Sequence, residues 1–258
     1  MLTVISPAKR LDWTARDLEM TEPRFQADAD RLAEVARGLS VDDLVDLMGI
    51  SRELAGLNAE RFARFGEDPS ARRPAAFAFA GDTYAGLEAA TLDEDALRYA
   101  QDRLRILSGL YGLLRPLDAI EPYRLEMGSR LATEKGRSLY DWWGTRLSEA
   151  LNEEGAATGS TVLLNCASVE YFSAVDPAAL KLDVITPVFL EDKPDGPRIV
   201  SFFAKKARGA MARYVVENRI ETEDGILAFD TGGYAHAPGL SAPGKPAFLR
   251  RQTAEEAA

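Results

Sequence analysis

The sequence is poor in the two residues that most often build metal and redox centres. Its 258 residues include one cysteine, Cys166, and one histidine, His236. One thiol cannot form a disulfide within the chain, and with one imidazole it cannot assemble a cysteine-based zinc site or an iron–sulfur cluster. An all-carboxylate metal site stays open, but no spacing in the sequence points to one. We therefore expect no metal and no cofactor. Such scarcity of cysteine is typical of a reducing compartment.

Long apolar runs are missing as well. The sequence contains no stretch that reaches the roughly 18 consecutive apolar residues of a membrane span. The opening residues, Met1 to Ile5, are too few for a signal peptide before Pro7 interrupts them. We therefore expect a cytoplasmic protein without membrane contacts.

Basic residues are outnumbered, with 31 Lys and Arg against 41 Asp and Glu, a net charge of −10. Because nucleic-acid binders usually carry a basic footprint, the global charge argues against that class. The local charge differs: from Arg198 to Arg219 there are six basic residues and one acidic residue, Glu217. This stretch is either a local anion-binding surface or simply a solvated basic face.

Apolar periodicity predicts a mixed α/β (or α+β) fold, with a central, mostly buried sheet and flanking helices. Apolar runs predict strands at 2–5, 75–79, 161–164, 183–189 and 198–203. Helical spacing predicts helices within 26–65, from Glu94 and from Ser138. We expect one α/β domain over 1–235 with a small helical module at about 26–65. The tail, 236–258, is predicted to be extended or partly disordered.

Polar residues follow three of the predicted strands. They are Ser6 and Lys9 after strand 2–5, Asn165, Ser168 and Glu170 after strand 161–164, and Lys205, Lys206 and Arg208 after strand 198–203. Ligands of open α/β sheets sit beyond the carboxyl ends of strands, so neighbouring strands would bring these clusters to one crevice.

The third cluster would place its cations in the first turn of a helix that begins near Ala204. Cations there oppose the helix dipole unless an anion is bound. A later helix start, or lysines that extend into water, is the alternative. Ser168 also suits a helix cap, and Ser6 with Lys9 a capping turn.

Residues 122–128 carry a further candidate pair. If this stretch is extended, Arg124 and Glu126 share one face, and Tyr123, Leu125 and Met127 share the other. The charged pair is either a structural ion pair or an anion clamp with a general base. We favour the ion pair.

The segment from Leu47 to Ala55 joins two amphipathic helices and resembles a helix-hairpin-helix motif. Gly49 fits the pattern, whereas Ser51 stands where a second glycine is usual. Such a hairpin donates backbone N–H groups to a phosphate without reading sequence, and Arg52 could add a contact. An ordinary helical packing unit with Ser51 as cap is the alternative.

Together these stretches resemble the YaaA family of peroxide-stress proteins. The matching pieces are Ile5 to Lys9, Gly81 to Leu87, Leu107 to Asp118 with Pro122 to Gly128, Asn165 to Tyr171, Ala204 to Gly209, and Gly232 to Tyr234. The resemblance implies a cytoplasmic oxidative-stress protein that binds DNA, carries a helix-hairpin-helix around Gly49 and limits free iron. Because Cys and His are so scarce, we expect the effect on iron to be indirect.

Three hypotheses of function follow. In the first, the protein binds duplex or distorted DNA, or a phosphorylated nucleotide-like ligand, through the hairpin and a basic cleft. The candidate binding residues are Gly49, Ser51, Arg52, Ser6, Arg124, Glu126, Asn165, Ser168, Lys206 and Arg208. In the second, it is a lyase- or glycosylase-like enzyme on a nucleobase, nucleotide or damaged DNA, with Lys9, Glu170 and Lys205 as candidate catalytic residues. In the third, it is a scaffold that binds partners through its acidic surface.

Overall fold

Helices and strands are interspersed along the chain, as the sequence predicts for a mixed α/β fold. The structure is a computed structural model, and it describes residues 1–251. The strands are β1 Leu2–Ile5, β2 Arg10–Leu11, β3 Arg73–Pro74, β4 Phe79–Ala80, β5 Leu104–Ser108, β6 Gly112–Leu114, β7 Ala119–Ile120, β8 Val162–Cys166, β9 Asp183–Ile185, β10 Val188–Glu191, β11 Tyr234–His236 and β12 Ala247–Arg250. The helices are α1 Gln26–Arg37, α2 Val41–Met48, α3 Arg52–Ala63, α4 Ala75–Ala78, α5 Asp82–Leu87, α6 Glu94–Arg103, α7 Leu139–Trp143, α8 Arg146–Thr158, α9 Val169–Phe172, α10 Ser201–Asn218 and α11 Glu223–Ile226.

The central sheet has five strands in the order β6-β5-β1-β8-β9. Strand β1 lies in the middle and is parallel to both β5 and β8. All four of its residues are buried, as expected for a strand covered on both faces. Because Ile5 pairs with Cys166, β1 and β8 end side by side, and the loops that follow them start at the same sheet edge.

The predicted strand 183–189 is two strands in two different sheets. It breaks at Thr186 and Pro187, since proline has no N–H to continue a ladder. Strand β9 is an edge strand of the central sheet. Strand β10 instead belongs to a second sheet of three strands, together with β12 and β11.

The second sheet includes part of the predicted tail. Strand β12 lies between β10 and β11, and its residues Ala247 and Phe248 are fully buried. Buried Glu191 ties the three strands together, because it accepts hydrogen bonds from the Tyr234 hydroxyl at 2.6 Å and from Arg250 Nε at 2.9 Å. The remainder of the predicted tail, 252–258, lies outside the described residues.

The predicted strand 198–203 was wrong. Arg198 forms only an isolated bridge with Glu191, and α10 begins at Ser201. The buried residues of α10 recur at helical spacing, at Ala204, Ala207, Met211 and Val215. This periodicity overrides the short apolar run before it. Lys205 therefore lies in the second turn, so the argument for an anion at this helix end does not hold.

Two other elements differ from prediction. Residues 75–79 form the one-turn helix α4 and the start of β4 rather than a strand, since alanine is the strongest helix former. The helix predicted from Ser138 is split into α7 and α8 at Gly144, which has φ 50° and ψ −126°.

Two glycines fix how α5 packs against α10. A Cβ atom on Gly209 would lie 1.7 Å from the carbonyl oxygen of Thr83, and one on Gly86 would lie 2.0 Å from that of Lys206. Only glycine permits this approach. The crossing brings the first half of α10 beside α5 and the end of β1.

The helical module contains α1, α2 and α3. Helices α2 and α3 are joined by Gly49, Ile50 and Ser51, with Gly49 in the left-handed conformation at φ 60°. Ser51 caps α3 by accepting the Leu54 N–H at 3.3 Å, so the interpretation of Ser51 as a cap is confirmed. This is the geometry of an ordinary capped helical unit and does not by itself identify a DNA-binding hairpin. None of the helices within residues 1–251 is long and apolar enough to cross a membrane.

Candidate functional site

A cleft of about 510 Å³ opens at the sheet edge where β1 and β8 end. Its walls are the loop after β1, residues 79–83, the extended residues 123–126, the start of α9 and one face of α10. Eight residues named from the sequence line it: Ser6, Lys9, Arg124, Glu126, Ser168, Glu170, Lys205 and Arg208. The volume is typical of a small-molecule site.

Hydrogen bonds join the two strand ends at the cleft. The Ser6 hydroxyl accepts the Ser168 N–H at 2.8 Å and donates to Ser168 Oγ at 3.3 Å. Ser168 also caps α9 by accepting the Tyr171 N–H, as predicted. The Tyr84 hydroxyl donates to the Ser6 carbonyl at 3.2 Å. The two loops are thus held to each other and to α5.

The Arg124 and Glu126 side chains form the favoured ion pair, with Arg124 Nε 3.0 Å from Glu126 Oε1. Lys9 Nζ lies 3.3 Å from the same oxygen. The other oxygen, Oε2, is buried and has no hydrogen-bond partner among residues 1–251. Gly109 holds this segment against β5, because a Cβ there would lie 2.3 Å from the carbonyl oxygen of Leu125. Glu126 is therefore a carboxylate shared by two cations in the cleft wall.

Glu170 contributes a second carboxylate from the first turn of α9. Its Oε1 accepts the N–H of Gly128 at 3.0 Å. Its backbone carbonyl accepts the Tyr140 hydroxyl at 2.9 Å. These bonds fix both the side chain and the backbone of Glu170 at the rim of the cleft.

The cleft is locally positive in a protein of net charge −10. Its cationic residues are Lys9, Arg10, Arg124, Lys205 and Arg208, and its acidic residues are Asp82, Glu126 and Glu170. Five cations face three carboxylates, so the lining carries a formal charge of +2. A concave site of this sign concentrates anions against the overall field.

The apolar part of the cleft lining includes the buried Tyr123, Tyr171 and Cys166, and buried Tyr84 bonds to the Ser6 loop next to them. Burial raises the pKa of Tyr84, Tyr123 and Tyr171 above the usual range, so these hydroxyls are neutral donors and acceptors. Burial also raises the pKa of the Cys166 thiol to about 12, against the opposing effect of the Arg208 charge. Cys166 is therefore an inert thiol at neutral pH.

Five of the named residues lie away from the cleft lining. Asn165 uses its amide internally: Oδ1 accepts the Ala167 N–H at 3.0 Å, and Nδ2 donates to Thr186 at 3.3 Å. Lys206 is exposed on another face of α10. Gly49, Ser51 and Arg52 belong to the helical module, where Arg52 pairs with Asp42. Within residues 1–251, no group of three His, Cys, Asp or Glu side chains is arranged to hold a metal ion.

Sequence reasoning missed several cleft residues. Arg10, Phe79, Asp82 and Tyr123 line the cleft without having been named as binding residues. The Gly81-Asp82 pair at a predicted strand end was the available signal for Asp82. Phe79 could not be placed because residues 75–79 were predicted as a strand.

The sequence signature of one known family covers most of the chain. The family described as peroxide stress protein YaaA matches residues 1–240. The chain belongs to the YaaA family. It is 67% identical to a UPF0246 protein of Jannaschia sp. (strain CCS1) over the whole of both chains. UPF0246 proteins of Roseobacter denitrificans and Ruegeria pomeroyi are each 63% identical, over 97% of this chain and 98% of theirs.

The resemblance to the YaaA family is thus confirmed. Five of the six stretches on which it was based contribute residues to the cleft, at 6–9, 81–83, 123–126, 166–171 and 205–208. The stretches that carry the family resemblance therefore surround one cavity, although they are spread over two hundred residues of sequence.

Proposed function

We propose that this YaaA-family protein acts in the peroxide-stress response by binding DNA, and that its cleft holds one nucleotide of the bound strand. The observation that carries the proposal is the +2 lining of a cleft of about 510 Å³ in a protein of net charge −10. A nucleotide supplies a matching anion, and it is small enough for a cavity of this size.

The cleft offers both kinds of contact that a nucleotide needs. Arg124 and Arg208 provide guanidinium groups, which can bind phosphate oxygens in a bidentate manner. Phe79, Tyr123 and Tyr171 provide aromatic surface in the same lining, against which a base can pack. A purely apolar or purely acidic ligand would leave one of these sets unused.

The helical hairpin has a smaller part in this proposal. Residues 41–63 contain five acidic and two basic residues, so this unit repels the DNA backbone. Its contribution is limited to the Arg52 and Glu53 N–H groups in the first turn of α3, because that of Leu54 is bonded to Ser51. The cleft is therefore the principal contact, and the hairpin is secondary.

We place any effect on free iron downstream of DNA binding. One cysteine and one histidine in the whole chain cannot form a soft iron site. Occupying oxidised or distorted DNA would limit damage without direct iron chemistry.

Fluorescence anisotropy with a labelled duplex tests this proposal. A duplex with a single abasic site and an intact duplex are titrated between 50 and 200 mM salt, the range over which phosphate contacts weaken steeply. We expect salt-dependent binding that Arg124→Ala combined with Arg208→Ala reduces by about 10- to 100-fold. Arg98→Ala, which removes an exposed arginine on α6, is the matched control. Wild-type protein that binds neither duplex, or binding unaffected by the double substitution, would rule the proposal out.

A second candidate is an enzyme that acts on the nucleobase, nucleotide or damaged DNA in the cleft, with lyase- or glycosylase-like chemistry. The favouring observation is the contact between Lys9 Nζ and the Glu126 carboxylate at 3.3 Å, an amine and an acid–base group side by side. The Lys9 side chain is 67% exposed, so it is not the desolvated lysine that an imine mechanism prefers. Glu170 and Lys205 complete the proposed set.

Borohydride trapping distinguishes the enzyme from the binding protein. An adduct between wild-type protein and abasic DNA that disappears in Lys9→Ala or Lys205→Ala supports the enzyme. Abasic DNA that binds tightly and yields no adduct removes the lyase and leaves the binding function intact.

A further inference from the structure

An aromatic side chain is exposed at the start of α10. Phe202 is 55% exposed, and Ile199, three residues before it, is 58% exposed. Burying an exposed aromatic side chain is favourable by a few kcal/mol. Large exposed apolar side chains that adjoin a polar cavity are therefore candidates for ligand contacts.

The position of Phe202 relates it to the cleft. Phe202 precedes Lys205 by three residues, and Lys205 precedes Arg208 by three, so each successive pair is adjacent on the surface of α10. The exposed fraction of the side chains falls along this row. Phe202 and Lys205 are exposed, whereas Arg208 is half-buried. The charge of Arg208 acts on the pKa of the buried Cys166 thiol. The row formed by Phe202, Lys205 and Arg208 therefore extends from the exposed surface of α10 to the cleft.

A second exposed apolar residue adjoins lining residues of the cleft in sequence. Val169 is 82% exposed and lies between Ser168 and Glu170, which both line the cleft. Both α9 and α10 thus carry an exposed apolar side chain within a few residues of one that lines the cleft.

The Phe202 ring is supported from behind. It packs edge-on against Phe203, with ring centroids 5.3 Å apart. The Arg250 guanidinium lies over the Phe203 ring at 4.1 Å from its centroid and pairs with fully buried Glu191 at 2.8 Å. Phe202 thus packs against Phe203, which in turn contacts the Arg250–Glu191 ion pair of the second sheet. A ring held in this way loses little conformational entropy when a ligand stacks on it.

We propose that Phe202 is a stacking platform for the nucleobase next to the nucleotide held in the cleft. The proposal rests on the proposed function and deepens it. Every base presents a flat face that stacks on an aromatic ring, and sequence-independent binders combine such rings with a cationic groove. Lys205, one turn further along the helix, is placed for the intervening phosphate. The occupant of this surface is nucleic acid rather than protein because the adjoining cleft is positively charged.

The test uses a duplex with one abasic site and 2-aminopurine as the neighbouring base, whose fluorescence falls when it stacks on an aromatic ring. Phe202→Ala, Phe202→Leu and Phe202→Trp are compared in the full-length protein. Leu240→Ala, which shortens a 46% exposed side chain outside the cleft lining and the helical module, is the control for loss of exposed apolar surface.

We expect Phe202→Ala to weaken binding by between about 5- and 100-fold. Phe202→Leu, which keeps the apolar bulk, should behave like alanine, whereas Phe202→Trp should retain or improve affinity. The salt dependence should not change with any of them, whereas Lys205→Gln should reduce its slope by about one. Leu240→Ala should bind like wild type.

The proposed function and the stacking platform are contradicted by different results. Wild-type protein that does not bind the duplex overturns the proposed function. Wild-type binding that Phe202→Ala leaves unchanged, both in affinity and in 2-aminopurine fluorescence, overturns the stacking platform alone. A loss that Phe202→Leu fully restores would also overturn it, since an aliphatic side chain cannot replace an aromatic ring in stacking.

Discussion

The cleft and the α2–α3 hairpin differ in how they are built and in their charge. The cleft takes its lining from five separate stretches of chain and carries +2. The hairpin is one local stretch, 41–63, with five acids and two bases. Its two distinctive positions have internal explanations, since Gly49 ends α2 in the left-handed conformation and Ser51 caps α3.

This contrast shows that a local pattern and a binding surface are different kinds of information. A glycine and a serine between two helices satisfy the rules of helix ends whether or not DNA is present. Lys9 and Arg124 contact Glu126, but Lys205 and Arg208, which a distant helix brings to the same cavity, have no such local explanation. The cleft is therefore the better candidate for an anionic ligand.

The largest expected effect is on the reactivity of Cys166, the buried thiol in the cleft lining. Since the pKa of Cys166 is raised to about 12, its thiolate fraction at pH 8 is about 10³-fold below that of a free cysteine. Alkylation of native protein by iodoacetamide should be slower by about that factor and should rise about tenfold per pH unit. Fast alkylation at pH 8, or rapid oxidation by hydrogen peroxide, would show that the Cys166 thiol is accessible to solvent and reactive.

The next effect separates the two regions by stability. Gly209→Ala introduces a Cβ into the α5–α10 crossing, 1.7 Å from a carbonyl oxygen, and should lower the free energy of unfolding by about 3 kcal/mol. Gly56→Ala is the matched control in α3, where a Cβ meets no atom within 4 Å, and should stabilise by up to about 1 kcal/mol. Urea unfolding measures both. Equal effects would contradict the tight crossing.

A smaller effect separates the regions by binding. Arg208→Ala should weaken DNA binding about tenfold and lower the salt slope by about one. Arg208→Lys should restore the slope and part of the affinity, because it retains the charge and loses the bidentate geometry. Anisotropy over a salt series measures both quantities. A larger loss in Arg52→Ala than in Arg208→Ala would reverse the ranking of the two regions.

The smallest effect lies on the hairpin surface. Arg52 and Asp42 form an ion pair in which both side chains are more than 70% exposed. Arg52→Ala should change the free energy of unfolding by about 0.5 kcal/mol or less and DNA affinity by less than about twofold. Thermal unfolding and anisotropy on the same sample check both values.

Much of the site's framework was predictable from the sequence. Strands β1 and β8 are short buried runs that end in polar residues, so Ser6, Lys9, Ser168 and Glu170 could be placed together. The alternation through 123–127 likewise predicted the shared face of Arg124 and Glu126. In both cases local period and polarity carry the information.

The remainder depends on tertiary contacts that no local pattern encodes. Lys205 and Arg208 reach the cleft from a helix face, not from a strand end, because Gly86 and Gly209 permit a close crossing with α5. Asn165 has the polarity of a binding residue, yet its amide hydrogen bonds are satisfied internally. Which cations meet is thus decided by packing between distant elements.

A crystal structure of the protein with a short oligonucleotide would test the comparison most directly. We predict a phosphate within hydrogen-bonding distance of Arg124 or Arg208, and a base stacked on Phe202. DNA that lies along α2 and α3 while the cleft remains unoccupied would contradict the assignment of the cleft as the principal binding site.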